Sequence, residues 1–154
     1  MEDNQIDIKK VKKIAQGLLE KIDPEAKMEV SLQKEGAAAI EITAADPLAL
    51  IGQNGETLQA IQHLLRVMAR KVFGGPCFID LDVNGYRRKR RDYLREMAIS
   101  AANDAALSKK EITLAPMNSY ERRIIHMELA ERRDVATESR GCDSDRRIVI
   151  KPAE

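Results

Sequence analysis

The sequence predicts an α+β protein made of two small units joined by a long helix. Along the chain, the spacing of apolar residues changes between three or four, as in helices, and two, as in strands. The alternation of the first unit ends at Asn84-Gly85, where a helical pattern rich in arginine begins. A length of 154 residues suits one ordinary domain or two small ones. We therefore expect units over residues 1–84 and 85–154, the second including the connecting helix.

The first unit opens with a helix and a hairpin. Residues 8–22 place apolar side chains mostly three and four apart, which predicts an amphipathic helix. Residues 28–32 and 38–42 alternate apolar and polar side chains around the turn Lys34-Glu35-Gly36. This pattern predicts a β-hairpin with one buried face, formed by Met28, Val30, Leu32, Ala38, Ile40 and Ile42.

Two helices and a strand complete the first unit. Asp46 is expected to cap a short helical turn over residues 48–51, with Pro47 at the first helical position. A longer helix follows the glycine turn, and residues 77–83 alternate as a third strand. The longer helix is predicted to face the core with Leu58, Ile61, Leu65, Met68 and Val72. The order of elements is thus α, β, β, short α, α, β.

The second unit is predicted to contain two helices and three short strands. The long helix runs over residues 86–107, and its core-facing side chains are Tyr93, Leu94, Met97, Ala101 and Ala105. The run from Asn118 to Glu121 resembles a capping box for a helix over residues 119–130. Strands are expected over 111–115, 135–139 and 148–150, with a turn over 141–145.

The composition excludes several classes of protein. No apolar run reaches the ~18 residues that a membrane-spanning helix needs, and the N-terminus shows no signal-peptide pattern. Cys77 and Cys142 lack any spacing typical of a zinc site or a disulfide framework, and His63 and His126 are the only histidines. We therefore expect a soluble protein of a reducing compartment, with no metal, cofactor or small-molecule substrate and no catalytic activity.

The net charge of +1 conceals an asymmetry between the units. Residues 1–84 carry 10 Lys and Arg against 13 Asp and Glu, whereas residues 85–154 carry 16 against 12. Only Arg66 and Arg70, of 14 arginines, precede residue 85. Because arginine presents a planar fork of donors that matches phosphate oxygens, an anionic partner is expected at the second unit.

The glycine turn is the first candidate site. Gly52 and Gly55 flank Gln53 and Asn54 between two predicted helices. Glycine lets the backbone approach a ligand closely, and the helix that follows directs free N–H groups outward. The alternative is a plain turn between helices, and Glu56 in the first turn of the helix would compete with a phosphate.

An arginine stripe is the second candidate. Five consecutive cations at a helix N-terminus oppose the helix dipole, which is unfavourable unless they serve a partner. At about 100° per residue, one arc of the helix carries Arg87, Arg88, Arg91 and Arg95. Such a stripe is typical of polyanion binding. The alternative is a solvated face partly paired with Asp92 and Glu96.

The third candidate lies on the helix that follows. Arg122 and His126 are i and i+4 neighbours on one face, with Arg123 beside them. A histidine can donate a hydrogen bond or stack on a base, and an arginine can hold a phosphate. The alternative is a structural histidine among Ile125 and Leu129.

Together these segments resemble a known family. IGQNGETLQAIQHLL resembles the Gly-x-x-Gly segment of a bacterial-type KH domain. PMNSYERRIIHMEL, with TESRG and RRIVIKP after it, is similar to the single-stranded nucleic-acid-binding domain named for its Arg-x-x-x-His motif. Their order, joined by VNGYRRKRRDYL, resembles the Jag family, the SpoIIIJ-associated RNA-binding proteins of bacteria. The resemblance covers roughly residues 8–152.

The resemblance implies two modules that bind single-stranded RNA, a KH domain over residues 1–84 and a small α/β domain over 85–154. Gly52, Gln53, Asn54 and Gly55 would clamp the sugar-phosphate backbone, with bases beside the following helix. Arg122 and His126 would contact nucleic acid in the second domain. It further implies a cytoplasmic protein linked to cell elongation, division or sporulation, near a membrane protein insertase.

Two other readings stay open from the sequence. One is a single-stranded DNA binder, since both modules accept either sugar in principle. The other is a protein-interaction adaptor, with a second KH protein or the insertase as partner. The uncharged pair Gln53 and Asn54 and the acidic balance of residues 1–84 favour the adaptor.

Overall fold

The computed structural model describes residues 6–34 and 36–153. Glu35 of the predicted hairpin turn, and the first five residues of the segment searched for a signal peptide, lie outside the described residues. The compact units divide between Arg87 and Arg88. The boundary between residues 84 and 85 stays a prediction.

The first unit has the predicted element order. Its elements are α1 (Ile8–Ile22), β1 (Lys27–Leu32), β2 (Ala38–Thr43), α2 (Leu48–Ile51), α3 (Glu56–Phe73) and β3 (Ile79–Val83). The sheet order is β1-β2-β3, with β1 antiparallel to β2 and β2 parallel to β3. Helices α1 and α3 pack on the sheet through their apolar stripes, which cover the inward side chains of β2 and β3. The covered side chains Ile40, Ile42, Ile79 and Leu81 are almost completely buried.

The predicted core face of α3 is correct in its first turns and wrong at its end. Leu58, Ile61 and Leu65 are buried, but the next buried residue is Ala69, whereas Met68 and Val72 are exposed. Arg66 Nε donates to the carbonyl oxygen of Ile79, at the start of β3 (2.8 Å). The 18 residues of α3 span about 27 Å, whereas the five residues of β3 span only about 17 Å. The end of α3 therefore extends beyond β3 and is not covered by it.

Two details of the first unit differ from expectation. Leu32, at the end of the edge strand β1, is exposed rather than buried, because no further strand covers that edge among the described residues. Helix α2 begins at Leu48, so Pro47 precedes the helix instead of opening it. Asp46 still caps this turn, since its side chain accepts the Leu48 N–H (3.2 Å).

The second unit packs the long helix and α5 against a three-stranded antiparallel sheet of order β4-β6-β5. Its elements are α4 (Tyr86–Ser108), which starts in the first unit, β4 (Ile112–Thr113), α5 (Ser119–Leu129), β5 (Val135–Arg140) and β6 (Arg147–Pro152). Strand β4 is shorter than the predicted 111–115. The α+β class predicted from the sequence is confirmed.

Small side chains form most of the core face of α4. Its buried residues are Leu94, Ala98, Ala101, Ala102 and Ala105. These pack with Ile125, Leu129, Ile148 and Ile150. Tyr93, expected to face the core, is instead exposed, and Met97 is only partly buried. The alanines bring the helix axis close to its neighbours, which leaves no room for a tyrosine ring on that face.

Two kinds of feature are absent from the described part of the chain. No helix there is both long and apolar enough to cross a bilayer. No three His, Cys, Asp or Glu side chains among the same residues come together as metal ligands.

Candidate nucleic-acid interface

The glycine turn has a backbone that only glycine adopts readily at two of its four positions. Gly52 has φ 70° and ψ −175°, and Gly55 has φ 81° and ψ 13°. Asn54 lies in the left-handed region as well, with φ 52° and ψ 24°. The turn is a short 3₁₀ segment over residues 53–55 that leads directly into α3. Its exposed tip consists of Gln53 and Asn54.

The chain itself fills the space beside both glycines. A Cβ on Gly52 would lie 2.1 Å from Thr57 Oγ1, and a Cβ on Gly55 would lie 2.8 Å from Cε1 of Tyr86. Sequence reasoning explained these glycines by the approach of a ligand. Packing of the glycines against Thr57 and Tyr86 explains them as well as a ligand does. The sequence offers no local signal for the contact between Gly55 and Tyr86, because Tyr86 comes from a different element.

Arg87 is part of a structural network. Its Nε donates to the carbonyl oxygen of Leu81 (2.8 Å), and its Nη2 donates to Oε1 of Gln62 (2.7 Å). The same Gln62 oxygen accepts the Leu81 N–H (2.9 Å), and the Arg87 N–H donates to Asp82 Oδ1 (3.2 Å). The guanidinium of Arg87 thus ties the start of α4 to α3 and β3.

The other arginines of the predicted stripe are exposed on α4. Arg91 Nη2 donates to the Tyr120 hydroxyl (3.4 Å), and Arg95 Nε lies 3.3 Å from Glu128 Oε2. Among the described residues, no carboxylate lies within 4.0 Å of the side-chain nitrogens of Arg88 or Arg91. The ion pair at Arg95 is made with α5, and neither Asp92 nor Glu96 pairs with an arginine in the described part of α4.

A buried ion pair joins α4 to α5. Arg90 Nε lies 2.8 Å from Glu121 Oε1, with side-chain exposures of 22% and 5%. The predicted capping box forms only in part. Asn118 Oδ1 accepts the Glu121 N–H (2.9 Å), but the Glu121 carboxylate turns to Arg90. The contact spans 31 residues of sequence, and for this reason local motif reading missed it.

Arg122 and His126 lie half-buried on one face of α5, and each is held by the surrounding chain. Arg122 Nη1 donates to the carbonyl oxygen of Met117 (2.8 Å). His126 Nδ1 lies 2.6 Å from Oγ1 of Thr137 on β5. Arg123 is exposed beside them. These contacts orient Arg122 and His126, and Thr137 was not among the predicted residues.

The eleven candidate residues divide between the two units. The first unit holds Gly52, Gln53, Asn54, Gly55 and Arg87; the second holds Arg88, Arg91, Arg95, Arg122, Arg123 and His126. Within the second unit, hydrogen bonds and ion pairs bring α4 and α5 together at Arg90, Arg91 and Arg95.

Two family models match the chain. A KH domain matches residues 9–85, and the domain named for its Arg-x-x-x-His motif matches residues 92–152. The matched regions lie on either side of the division between Arg87 and Arg88.

Curated relatives match across both regions. RNA-binding protein KhpB of Bacillus subtilis is 32% identical over 151 residues, covering 86% of this chain and 73% of that protein. The proteins of the same name from Clostridium symbiosum and Lactiplantibacillus plantarum are 36% and 38% identical over 101 residues, 66% of this chain. The chain is aligned with only 46% and 31% of their lengths.

Proposed function

The chain belongs to the Jag family, in which a KH domain is followed by an Arg-x-x-x-His domain, and on that premise we propose that it is a non-catalytic protein that binds single-stranded RNA. Its domains and its relatives, which are named RNA-binding proteins, support nucleic-acid binding as the general function. The preference for RNA over DNA, the preference for single strands and the assignment of the contact residues named below are our proposals.

The observation that carries this proposal is the distribution of charge on α5. Its two acidic residues, Glu121 and Glu128, are each paired with an arginine of α4. In the described part of the chain, Arg122, Arg123 and Arg91 have no carboxylate within 4.0 Å of their side-chain nitrogens. The charge that α5 itself leaves unpaired is therefore positive, which suits a phosphate backbone.

In the first unit we propose that the exposed tip of the glycine turn contacts the RNA backbone. Gln53 and Asn54 offer amide donors there, and α3 begins directly after the turn, so the positive end of its dipole faces the same region. Arg87 contributes by fixing the start of α4, since its guanidinium is bound by Leu81 and Gln62.

The test is binding of a labelled single-stranded RNA and of its DNA counterpart at two salt concentrations. We expect tighter RNA binding that weakens with salt, with a slope of about −0.7 per phosphate contact in the log–log plot. Arg122→Ala and His126→Ala should weaken binding, and Arg122→Ala should reduce that slope by about 0.7.

Arg133→Ala, which removes an exposed arginine after the end of α5, is the matched control and should bind almost as the wild type does. Equal affinity for both strands would favour single-stranded DNA as an equivalent ligand. A clear loss of thermal stability in Arg122→Ala or His126→Ala would assign those residues a structural role.

A second candidate function is a protein-interaction adaptor. The exposed apolar side chains of α3, Leu64, Val67 and Val72, favour it for the first unit. A second KH protein or a membrane insertase is the partner that the family suggests. No RNA or DNA binding at low salt, with the fold intact, would support this role.

From family membership we also propose the cellular role. The protein would act in the cytoplasm as a post-transcriptional regulator linked to cell elongation, division or sporulation. Crosslinking of the protein to RNA in cells, followed by sequencing of the bound transcripts, tests this role directly.

A further inference from the structure

One face of α5 exposes large side chains that the arginine–histidine motif does not include. Tyr120 is 57% exposed and Met127 is 66% exposed. At about 100° per residue these two and the exposed Arg123 lie within about 60° of one another around the helix. The opposite face anchors the helix, because Glu121, Ile125 and Leu129 are buried.

The hydroxyl of Tyr120 contacts a residue outside its own helix. Its hydroxyl accepts a hydrogen bond from Arg91 of α4 (3.4 Å). This contact places a guanidinium at the rim of an exposed aromatic ring. Exposed aromatic rings bordered by arginine are the usual means of binding unpaired bases, because the ring stacks on the base and the cation contacts the phosphate.

The charges around this face match a polyanion. Arg91 and Arg123, which border Tyr120, have no carboxylate within 4.0 Å among the described residues, whereas the acidic residues of α5 are neutralised by Arg90 and Arg95. The thioether of Met127 is polarisable and packs readily on aromatic groups. Tyr120, Arg123 and Met127 therefore combine apolar and cationic surface over about 10 Å of helix.

We propose that Tyr120 is a base-stacking residue of the second domain, with Met127 extending the apolar surface and Arg91 and Arg123 contacting the adjacent phosphates of a single-stranded RNA. The inference rests on the RNA-binding function proposed above. It adds base contacts on a face of α5 that adjoins, through Arg123, the face carrying the motif residues Arg122 and His126.

Paired substitutions of Tyr120 test the stacking. Tyr120→Ala should weaken RNA binding about 5- to 150-fold, the range for loss of one stacked base, whereas Tyr120→Phe keeps the ring and should retain most of the affinity. Phe78→Ala is the matched control, because Phe78 is a comparably exposed aromatic residue (65%) of the first unit. The melting temperatures of the Tyr120 variants should stay near that of the wild type, since the side chain lies mostly in solvent.

An abasic oligonucleotide of the same length separates stacking from electrostatics. It keeps the phosphates and removes the bases, so Tyr120→Ala should bind it as tightly as the wild type does. An equal loss on the abasic and the ordinary strand, or a Tyr120→Ala affinity for RNA equal to the wild type's, would overturn the stacking role. If the wild-type protein bound no RNA, the proposed RNA-binding function itself would be overturned. The outcomes that concern only Tyr120 leave that function standing.

Discussion

His126 Nδ1 lies 2.6 Å from Thr137 Oγ1, so a hydrogen bond joins the motif histidine of α5 to the neighbouring strand β5. The bond restricts rotation of the imidazole and occupies one of its two nitrogens. The other nitrogen is then the atom with which the ring can contact a ligand. Thr137 is in this sense a positioning residue for His126.

Replacing Thr137 with valine tests this role, because the two side chains have nearly the same shape. We expect Thr137→Val to weaken RNA binding about 2- to 10-fold, as expected for a lost hydrogen bond of about 0.5–1.5 kcal/mol. Nitrogen-15 NMR should show a change in the tautomer equilibrium of His126. Thr137→Ser restores the hydroxyl and should restore both properties. Normal affinity in the valine variant would show that the bond serves the fold alone.

Arg90 is expected to be needed in the second unit because it neutralises the buried carboxylate of Glu121. Arg90→Met leaves the carboxylate of Glu121, almost fully buried, without its partner, which should cost about 3 kcal/mol of unfolding free energy. Arg90→Met combined with Glu121→Leu removes both charges and should recover most of that loss. Urea unfolding measures all three proteins. A double variant no more stable than Arg90→Met would contradict the pairing argument.

Gly55 of the turn is expected to be required for full stability. Gly55→Ala should lower stability by the strain of its left-handed backbone, about 1–2 kcal/mol, and by about 1–3 kcal/mol of overpacking against the ring of Tyr86. Gly74→Ala is the control, since Gly74 has nearly the same backbone angles (φ 71°, ψ 7°) but open space around its Cβ. It should show only the backbone strain. Equal losses of melting temperature at the two positions would show that the Tyr86 ring yields easily.

The exposed tip of the turn is expected to act in binding and not in folding. Gln53→Asp combined with Asn54→Asp places two negative charges at the proposed backbone contact and should weaken RNA binding without a change in melting temperature. Ser31→Asp combined with Gln33→Asp adds the same charge to exposed positions of the hairpin and serves as the control. Similar affinities for the two double variants would remove the glycine turn from the interface.

The sheet of the second unit is expected to lose stability in acid. An ion pair with Lys151 and then a hydrogen bond from Arg140 lower the pKa of Glu138 below its ordinary value of 4.5. The ionised carboxylate therefore stabilises the fold above that value, and the stabilisation is lost as the pH falls through the lowered pKa. The difference in melting temperature between wild type and Glu138→Gln should be largest at about pH 7 and should shrink as the pH falls below the ordinary pKa of a glutamate.

Local patterns predicted most of the elements correctly. Helix α1 is confirmed over its full length of 8–22, and the strands β2 and β3 alternate as expected. Asn118 caps α5 as the motif indicated. These features depend on residues within a few positions of one another, because the helical period, the strand period and the cap are properties of short segments.

Side-chain environments were predicted less well. Met68 and Tyr93 lie at positions that the periodicity assigns to a core, yet both are exposed. Arg87 was grouped with Arg91 by helical angle, but Arg87 is bound to Leu81 and Gln62 while Arg91 is exposed. Periodicity identifies the residues that share a face, but not the distant segment that covers the face or how far along the helix that segment extends.

The sequence by itself determined the α+β class, the order of the helices and strands, the glycine turn and the family. These follow from local spacing and from motifs that occupy consecutive positions. Only the tertiary structure decided which arginines are paired and which are exposed, and that Thr137 holds His126, Tyr86 packs on Gly55 and Tyr120 faces solvent. The physical reason is that the contacts made by Arg90, Arg95, Gly55 and His126 join residues 11 to 33 positions apart, and that exposure depends on which faces the folded chain leaves uncovered. Such relations exist only once the chain has folded.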